Sequence, residues 1–488
     1  MKQLLHYALI FLVGFFSCNI AYSQEIIKKG AHELQAEEFG SYAKNRKVKS
    51  GITSEIIPLQ RTKSQELSKK VFGFLPYWEQ SDGAHNNIQY NLLTHLACFD
   101  FRVQLNATIS TPAGWPWTTE INAAHKAGTK VIMTVVNFGG ADGADAVAWE
   151  LFTNVAKQNT FFTNVKNIIQ TYSLDGVNID FEGMASVHRG AELNTFMAKL
   201  TTYIHQELPG KEVSFDGPAV NWGGWIMDDL VDSVDYLIVM AYDYTSKTSA
   251  NSGPVAPLVH HTSWKRFVTR TIKTGTYALP TANHPEKLVL AVPYYGQHWK
   301  TATNVSESPT TSSVGSTRYK NTSVDAPTHG GWIWNNDFEV PWYTWNDGSD
   351  WNQIWADNET SISKKYDLAI ANNLGGIGIW ALNYDGTRPE LWDLINAKFG
   401  ATARVASNLR EKISFYPNPA NSEIHISNLE NIVLTKVGVY NILGKLIKNL
   451  DFKKKSIDIS NLPNGIYFIK VTAESGKKEA FKIIKASL

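Results

Sequence analysis

The stretch Asp175-Gly-Val-Asn-Ile-Asp-Phe-Glu182 decides how this chain is read. Asn178, Asp180 and Glu182 alternate with Val177, Ile179 and Phe181, which is strand spacing, because successive side chains on a strand point to opposite faces. One face is apolar and packs; the other carries an amide and two carboxyls. Burying carboxyls without partners is costly, so a row of them on a core strand points to chemistry.

Working outward, short apolar runs recur at 71–75, 96–101, 131–136, 176–182, 212–216, 236–242, 288–292 and 376–381. Helical patterns lie between several of them, at 120–127, 152–172, 192–207 and 359–373. Strands alternating with helices imply parallel β-α units, and eight such units close into a barrel whose chemistry sits at the C-terminal ends of the strands. The fold class expected is therefore α/β, a (β/α)8 TIM barrel over 71–400, with Glu182 at its chemical end. The interval 297–355 holds Trp299, Trp332, Trp334, Trp342, Trp345 and Trp351 and reads as a loop or small subdomain beside the cleft. Residues 24–70 are polar with sparse apolar positions and read as a leader or arm. After a polar linker at 401–412, short strands and turns over 413–488 read as a small all-β sandwich.

Composition narrows the partners. A formal net charge of +1 with 19% charged residues gives no electrostatic case for nucleic acid or a membrane surface. The aromatic load, 16 Trp, 20 Tyr and 22 Phe, suits stacking on sugar rings, although most of these side chains must be core. Residues 1–23 read as an export signal, with Lys2, an apolar run from Tyr7 to Phe16 and Ala21-Tyr-Ser23 before Gln24. Cys18 could mark a lipoprotein, but Phe15 does not fit the residue expected there, and ordinary cleavage is the preferred reading. Cleavage leaves Cys98 as a single thiol, read as core. His188, His260-His261 and His298 show no ligand spacing and no Gly-rich phosphate loop occurs, so neither metal nor cofactor is expected.

Asp180 and Glu182 lie about 6.6 Å apart along a strand at roughly 3.3 Å per residue. Both therefore approach a ligand from one side, whereas the usual glycosidase pair flanks the scissile bond. If this strand cleaves a glycoside, the nucleophile comes from elsewhere, and an N-acetyl group on the substrate is the economical source. Glu182 would protonate the leaving oxygen while Asp180 orients the acetamido group.

On these residues the chain resembles family 18 of the glycoside hydrolases, the chitinase family, whose fourth strand carries DGxDxDxE. Asp175, Gly176, Asp180 and Glu182 match, and Asn178 replaces the middle Asp. Met240-Ala-Tyr-Asp243 is similar to MxYD, Trp380 in Gly375-Gly-Ile-Gly-Ile-Trp380 matches the eighth strand, and Asn137-Phe-Gly-Gly140 resembles SxGG with Asn for Ser. The resemblance implies Glu182 as general acid/base, Asp180 as the acetamido-orienting carboxylate, Tyr242 as donor to the acetamido oxygen, Asp243 as a sugar contact and Trp380 as the floor. Asn178 and Met240 are counted with the substrate-binding set, and Trp78, Phe138, Trp222, Trp225 and Tyr295 are candidate stacking residues. Asn178 is expected to hydrogen-bond Asp180, which should then ionise readily and keep Glu182 protonated. Asn at this place also resembles members of the family that act on bacterial cell-wall glycan.

The tail resembles the type IX secretion sorting domain through Tyr416-Pro-Asn-Pro419, Val439-Tyr-Asn-Ile-Leu-Gly444, Leu462-Pro-Asn-Gly-Ile-Tyr467 and the Lys-rich ending. A carbohydrate-binding sandwich is the alternative. The expectations together are a secreted or cell-surface monomer that meets chitin or a related N-acetylglucosamine glycan, and meets the type IX machinery through its tail. The rival readings are a peptidoglycan or glycoprotein-glycan N-acetylglucosaminidase and a non-catalytic chitin-binding lectin.

Overall fold

The computed structural model describes residues 29–44, 54–60, 66–138, 142–260, 266–400, 413–427, 434–442, 444–450, 456–473 and 478–486. The expected signal segment with Cys18, the 401–412 linker, Gly139-Gly140 and His261 lie outside the described residues.

Eight strands form the barrel: β1 (Lys70–Pro76), β2 (His95–Val103), β3 (Lys130–Val136), β4 (Gly176–Asp180), β5 (Glu212–Pro218), β6 (Tyr236–Met240), β7 (Leu288–Pro293) and β8 (Gly376–Trp380). Each is parallel to the next, and β1 pairs with both β2 and β8, so the sheet closes. Every expected run is a strand of this barrel. Their residues are buried on both faces, by barrel filling within and helices without, which is why the strands read as near-continuous Val/Ile/Leu/Phe runs. Cys98, on β2, is fully buried as expected.

The two ends of the barrel differ. At the N-terminal end Glu212 accepts a hydrogen bond from His95 Nε2 (3.0 Å) and is paired with Lys130. Burial alone would raise this carboxyl; the His95 and Lys130 partners outweigh it and hold it at about 2. Asp175 accepts from the Val131 N–H (2.9 Å), His125 Nε2 (3.0 Å) and Lys211 Nζ (3.1 Å), and so fixes the start of β4 against its neighbours. These groups hold strands in register. The partly satisfied carboxyls sit at the other rim.

One helical expectation is corrected. The pattern over 152–172 is two helices, Ala144–Thr153 and Val155–Thr171, because Asn154 leaves the helical region (φ −97°, ψ 100°) and its side chain caps the second helix by accepting the Lys157 N–H at 3.2 Å. The Trp-rich interval is a subdomain: strands Tyr295–Thr301, Thr310–Arg318, Ile333–Asn335, Val340–Asn346 and Trp351–Ala356 make a five-stranded antiparallel sheet. Trp299, Trp342 and Trp355 form its core with Phe338 and Val340, so much of the tryptophan here is structural. In the tail a three-stranded and a four-stranded antiparallel sheet enclose a core that includes Ile424, Val439, Ile469 and Ile483. Its strands Leu446–Leu450 and Lys478–Lys485 escape the sequence reading, since Lys residues mask their alternation.

At the N-terminus, Ala31–Lys44 forms a helix, α1, within the segment read as an arm. Among the described residues no helix is long and apolar enough to cross a membrane.

Gly176 is demanded by strand spacing: a Cβ there would lie 2.2 Å from the Glu212 carbonyl oxygen. Gly176→Ala is expected to destabilise the barrel by about 1–3 kcal/mol through this overpacking, read as a lower urea midpoint of tryptophan fluorescence. An unchanged midpoint would show that β4 and β5 can separate freely.

Candidate active site

Strand β4 ends at Asp180, and Phe181-Glu182 continues onto the C-terminal rim. Asn137, just past β3, clamps this turn: its Oδ1 accepts the Glu182 N–H (2.9 Å), and its Nδ2 donates to the Glu182 carbonyl (2.9 Å) and the Ala144 carbonyl (2.9 Å). Glu182 is thereby placed by backbone contacts as well as by its strand. Tyr242 and Asp243 follow β6, and Trp380 closes β8. Asp243 adopts the left-handed conformation (φ 58°), uncommon for a residue with a side chain, and its Oδ1 accepts from the Tyr295 hydroxyl at 2.8 Å. Met240 is buried at the end of β6.

Asn178 departs from expectation. Its Nδ2 donates to Asp216 Oδ2 (2.9 Å) and its Oδ1 accepts from the Ser214 hydroxyl (2.7 Å), both on the neighbouring strand β5. Asn178 is therefore tied to β5 rather than to Asp180, and a third carboxyl, Asp216, faces the pocket. Asp180 does not ionise readily: full burial first, then the Asp100 charge, push it well above the carboxylate range. Burial and then the Asp180 charge do the same to Asp216. Glu182 is raised to about 8, first by burial and second by Asp180, so the acid form expected of it holds at neutral pH. Asp243 is raised by burial to about 6.

The remaining candidates divide. Trp78 is buried, its Nε1 donates to the Tyr384 hydroxyl (3.2 Å) and its edge faces Trp380 at 6.3 Å between centroids. Phe138 is buried against Phe99 at 6.2 Å. Tyr295 serves Asp243. Trp222 is 65% exposed and Trp225 packs on Phe215, whereas the described rings against Trp380 are His32, Phe74, Trp78 and Phe99. An open hollow of about 950 Å³ is lined by Trp222, Asn221, Arg266 and Arg270 and includes none of the strand-end acids.

The space directly over those acids is filled by α1. His32 is fully buried, with Nδ1 2.7 Å from Asp180 Oδ2, Nε2 2.7 Å from the Tyr242 hydroxyl, and its ring stacked on Trp380 at 3.6 Å between centroids. Burial lowers this imidazole to about 4, so near neutral pH it carries one N–H. With one N–H, the ring donates at one nitrogen and accepts at the other across its contacts with Asp180 and Tyr242. The Glu33 N–H donates to Glu182 Oε2 at 3.2 Å, and Gln35 Oε1 accepts from Trp380 Nε1 (2.9 Å) and the Tyr384 hydroxyl (2.8 Å). Ligand atoms of His32, Asp180 and Asp216 lie within 4.8 Å of one another, a group that the histidine spacings of the sequence did not suggest. The sequence reading missed the α1 residues and Asp216. A signal existed for both: His32, Gln35, Ala36 and Phe39 fall at helical spacing on one face, and Ser214 and Asp216 alternate on β5 as Asn178 and Asp180 do on β4.

Residues 70–385 match the model of glycosyl hydrolases family 18, and residues 414–486 match that of a secretion system C-terminal sorting domain. The chain belongs to glycosyl hydrolase family 18. Human di-N-acetylchitobiase is 27% identical over 275 residues, which are 48% of this chain and 66% of that protein; the mouse protein is 29% identical over 240 residues, 43% and 61% respectively. The cortical fragment-lytic enzyme of Bacillus anthracis is 20% identical over 64% of this chain and 69% of its own length. The chain thus spans slightly under two thirds of the di-N-acetylchitobiases it matches. Among solved structures, a group IV chitinase of Ostrinia furnacalis in complex with allosamidin superposes with a TM-score of 0.57 at 20% identity, covering 68% of this chain and 98% of that one. A Cycas revoluta chitinase mutant with (GlcNAc)4 gives 0.58 at 19%, covering 67% and 98%. At these identities the structures establish the fold.

Asn178→Asp would replace the amide donor to Asp216 with another buried carboxyl. A carboxyl raised by folding stabilises below its unfolded value and loses that stability as pH rises, so this variant should fall behind the wild type increasingly from mildly acid to alkaline pH. We expect a deficit of about 1–3 kcal/mol at alkaline pH, measured by urea unfolding across pH. The exchange Asn178→Asp with Asp216→Asn should recover most of it; no recovery would show that the two side chains are not coupled.

Proposed function

We propose that the chain is an exported glycoside hydrolase that cleaves β-1,4 linkages of N-acetylglucosamine polymers, chitin first, by a retaining, substrate-assisted mechanism. The observation that carries this reading is how the pocket holds His32. Asp180 and Tyr242 grip the two ring nitrogens of a flat five-membered ring lying on Trp380. In imidazole those nitrogens are separated by one carbon. A substrate acetamido group that attacks its own sugar carbon closes a five-membered oxazolinium ring whose nitrogen and oxygen are likewise separated by one carbon.

The steps follow from this placement. Asp180 accepts the acetamido N–H and Tyr242 donates to the acetamido oxygen, turning that oxygen toward the anomeric carbon. Glu182, held neutral by burial and by Asp180, gives its proton to the leaving glycosidic oxygen as that bond breaks and the oxazolinium forms. Glu182, now a carboxylate, takes a proton from water as the water attacks the anomeric carbon; the ring reopens and the product keeps its β configuration. Trp380 is the floor, Asp243 a sugar contact, Asn178 and Met240 line the pocket, and Trp78 and Phe138 are the stacking candidates that remain near it. The division into export signal 1–23, arm 24–70, barrel 71–400, linker 401–412 and sorting domain 413–488 belongs to the same proposal, with the type IX machinery as the tail's partner.

A second reading has its own support. Asn178 and the likeness to cortical fragment-lytic enzymes favour a cell-wall glycan as substrate. Reducing-end release from chitin and from purified peptidoglycan separates the two: turnover of peptidoglycan alone would overturn chitin. Glu182→Gln is expected to lower kcat on chitin oligosaccharides by about 10²–10⁴-fold, and Tyr242→Phe by about 10²–10³-fold. Binding without turnover in the wild type would make the protein a lectin. Early product analysed by NMR should be the β anomer; an α anomer would exclude the substrate-assisted route.

A further inference from the structure

The face of α1 that meets the barrel is built as closely as the barrel's own core. Gly30 rests on the Glu182 carboxyl so tightly that a Cβ would lie 2.2 Å from its carbon, and a Cβ on Gly40 would lie 2.1 Å from the Tyr77 hydroxyl. Between these contacts His32 engages Asp180, Tyr242 and Trp380, and Gln35 engages Trp380 and Tyr384. Phe39 packs against Trp78 and Tyr384, with the Arg318 guanidinium 4.3 Å from its ring centre. Glu38 accepts from the Ser316 N–H (2.7 Å) and hydroxyl (3.2 Å), which brings the inserted subdomain into the same contact. No sugar can reach Glu182 while this helix is in place.

We propose that α1 is an internal competitive inhibitor that occupies the catalytic pocket, its His32 ring standing where the five-membered ring derived from the substrate's acetamido group would form. The inference rests on the substrate-assisted reading for the identity of the mimicked group. Its steric part, that α1 and glycan exclude one another, does not. A helix of 14 residues is marginal in isolation, and Gly40 weakens it by about 1 kcal/mol relative to Ala. The pocket therefore orders α1, and α1 leaves by unfolding. Tethering gives the segment an effective concentration on the order of millimolar, so a glycan must bind well to displace it. The chain is thus latent until a long substrate, or a cut between α1 and β1, removes the helix.

The test compares the full-length wild type with His32→Ala and Gly30→Val, using N-acetylchitotetraose as substrate. Gly30→Val leaves every barrel residue unsubstituted and puts a branched side chain where the buried Glu182 carboxyl now lies, so it is expected to weaken the docking of α1 by a route independent of His32. Both variants are expected to show kcat/KM raised at least about tenfold, chiefly through KM, since apparent affinity scales with the fraction of open chains. Equal kcat/KM in all three chains overturns the proposal. If no chain turns over, the functional reading has failed separately; calorimetric titration of N-acetylchitotetraose into the same chains carrying Glu182→Gln then decides. Tighter binding to the α1 variants sustains the inhibitor, and equal binding or none overturns it. Amide exchange over 31–44 as fast in the wild type as in Gly30→Val would overturn it as well.

Discussion

Asp180 is a carboxyl without exposed surface, and the site around it is arranged so that this burial is tolerated. Its Oδ2 meets the His32 ring, while its Oδ1 has no hydrogen-bond partner among the described residues. Asp216 stands in the same condition: Oδ2 accepts from Asn178, and Oδ1 has no partner among the described residues. Two such acids close together resist losing both protons. Glu182 beside them is kept an acid at neutral pH first by its own burial and second by Asp180. With an amide at 178, the third carboxyl of the pocket comes from Asp216 on β5.

The barrel makes this arrangement possible by separating its ends. At the N-terminal rim, Asp175, Glu212, His95 and Lys130 are paired and contribute to strand register. At the C-terminal rim the acids have fewer partners within the barrel, and α1 supplies several of them: an imidazole to Asp180, a backbone N–H to Glu182 and an amide oxygen to Trp380 and Tyr384. The polar groups that the proposed mechanism assigns to a sugar are met here by a peptide segment of the same chain.

Much of this was legible in the residues. Period-two alternation in β4 and apolar runs elsewhere mark all eight strands, because parallel strands buried on both faces have little choice of composition. Glu182, Tyr242 and Trp380 carry local motifs and were singled out from them, and the structure gathers all three at one rim of the barrel. The break at Asn154 was not, since one capping residue scarcely disturbs a helical pattern. The partners of Asn178 were misassigned because a strand's own spacing shows which face a side chain takes but not which neighbour on the next strand it meets.

By itself the sequence determined the closed parallel barrel, its chemical rim and the residue types gathered there, since these follow from periodicity and from short motifs along one strand at a time. Tertiary structure alone decided that Asn178 bonds to Asp216, that Asn137 clamps Glu182 and that His32 lies on Trp380. Those contacts join residues from 38 to 348 positions apart by the sequence numbering. No local pattern encodes such pairings; they arise only once barrel closure brings strand ends and the N-terminal helix into one small volume.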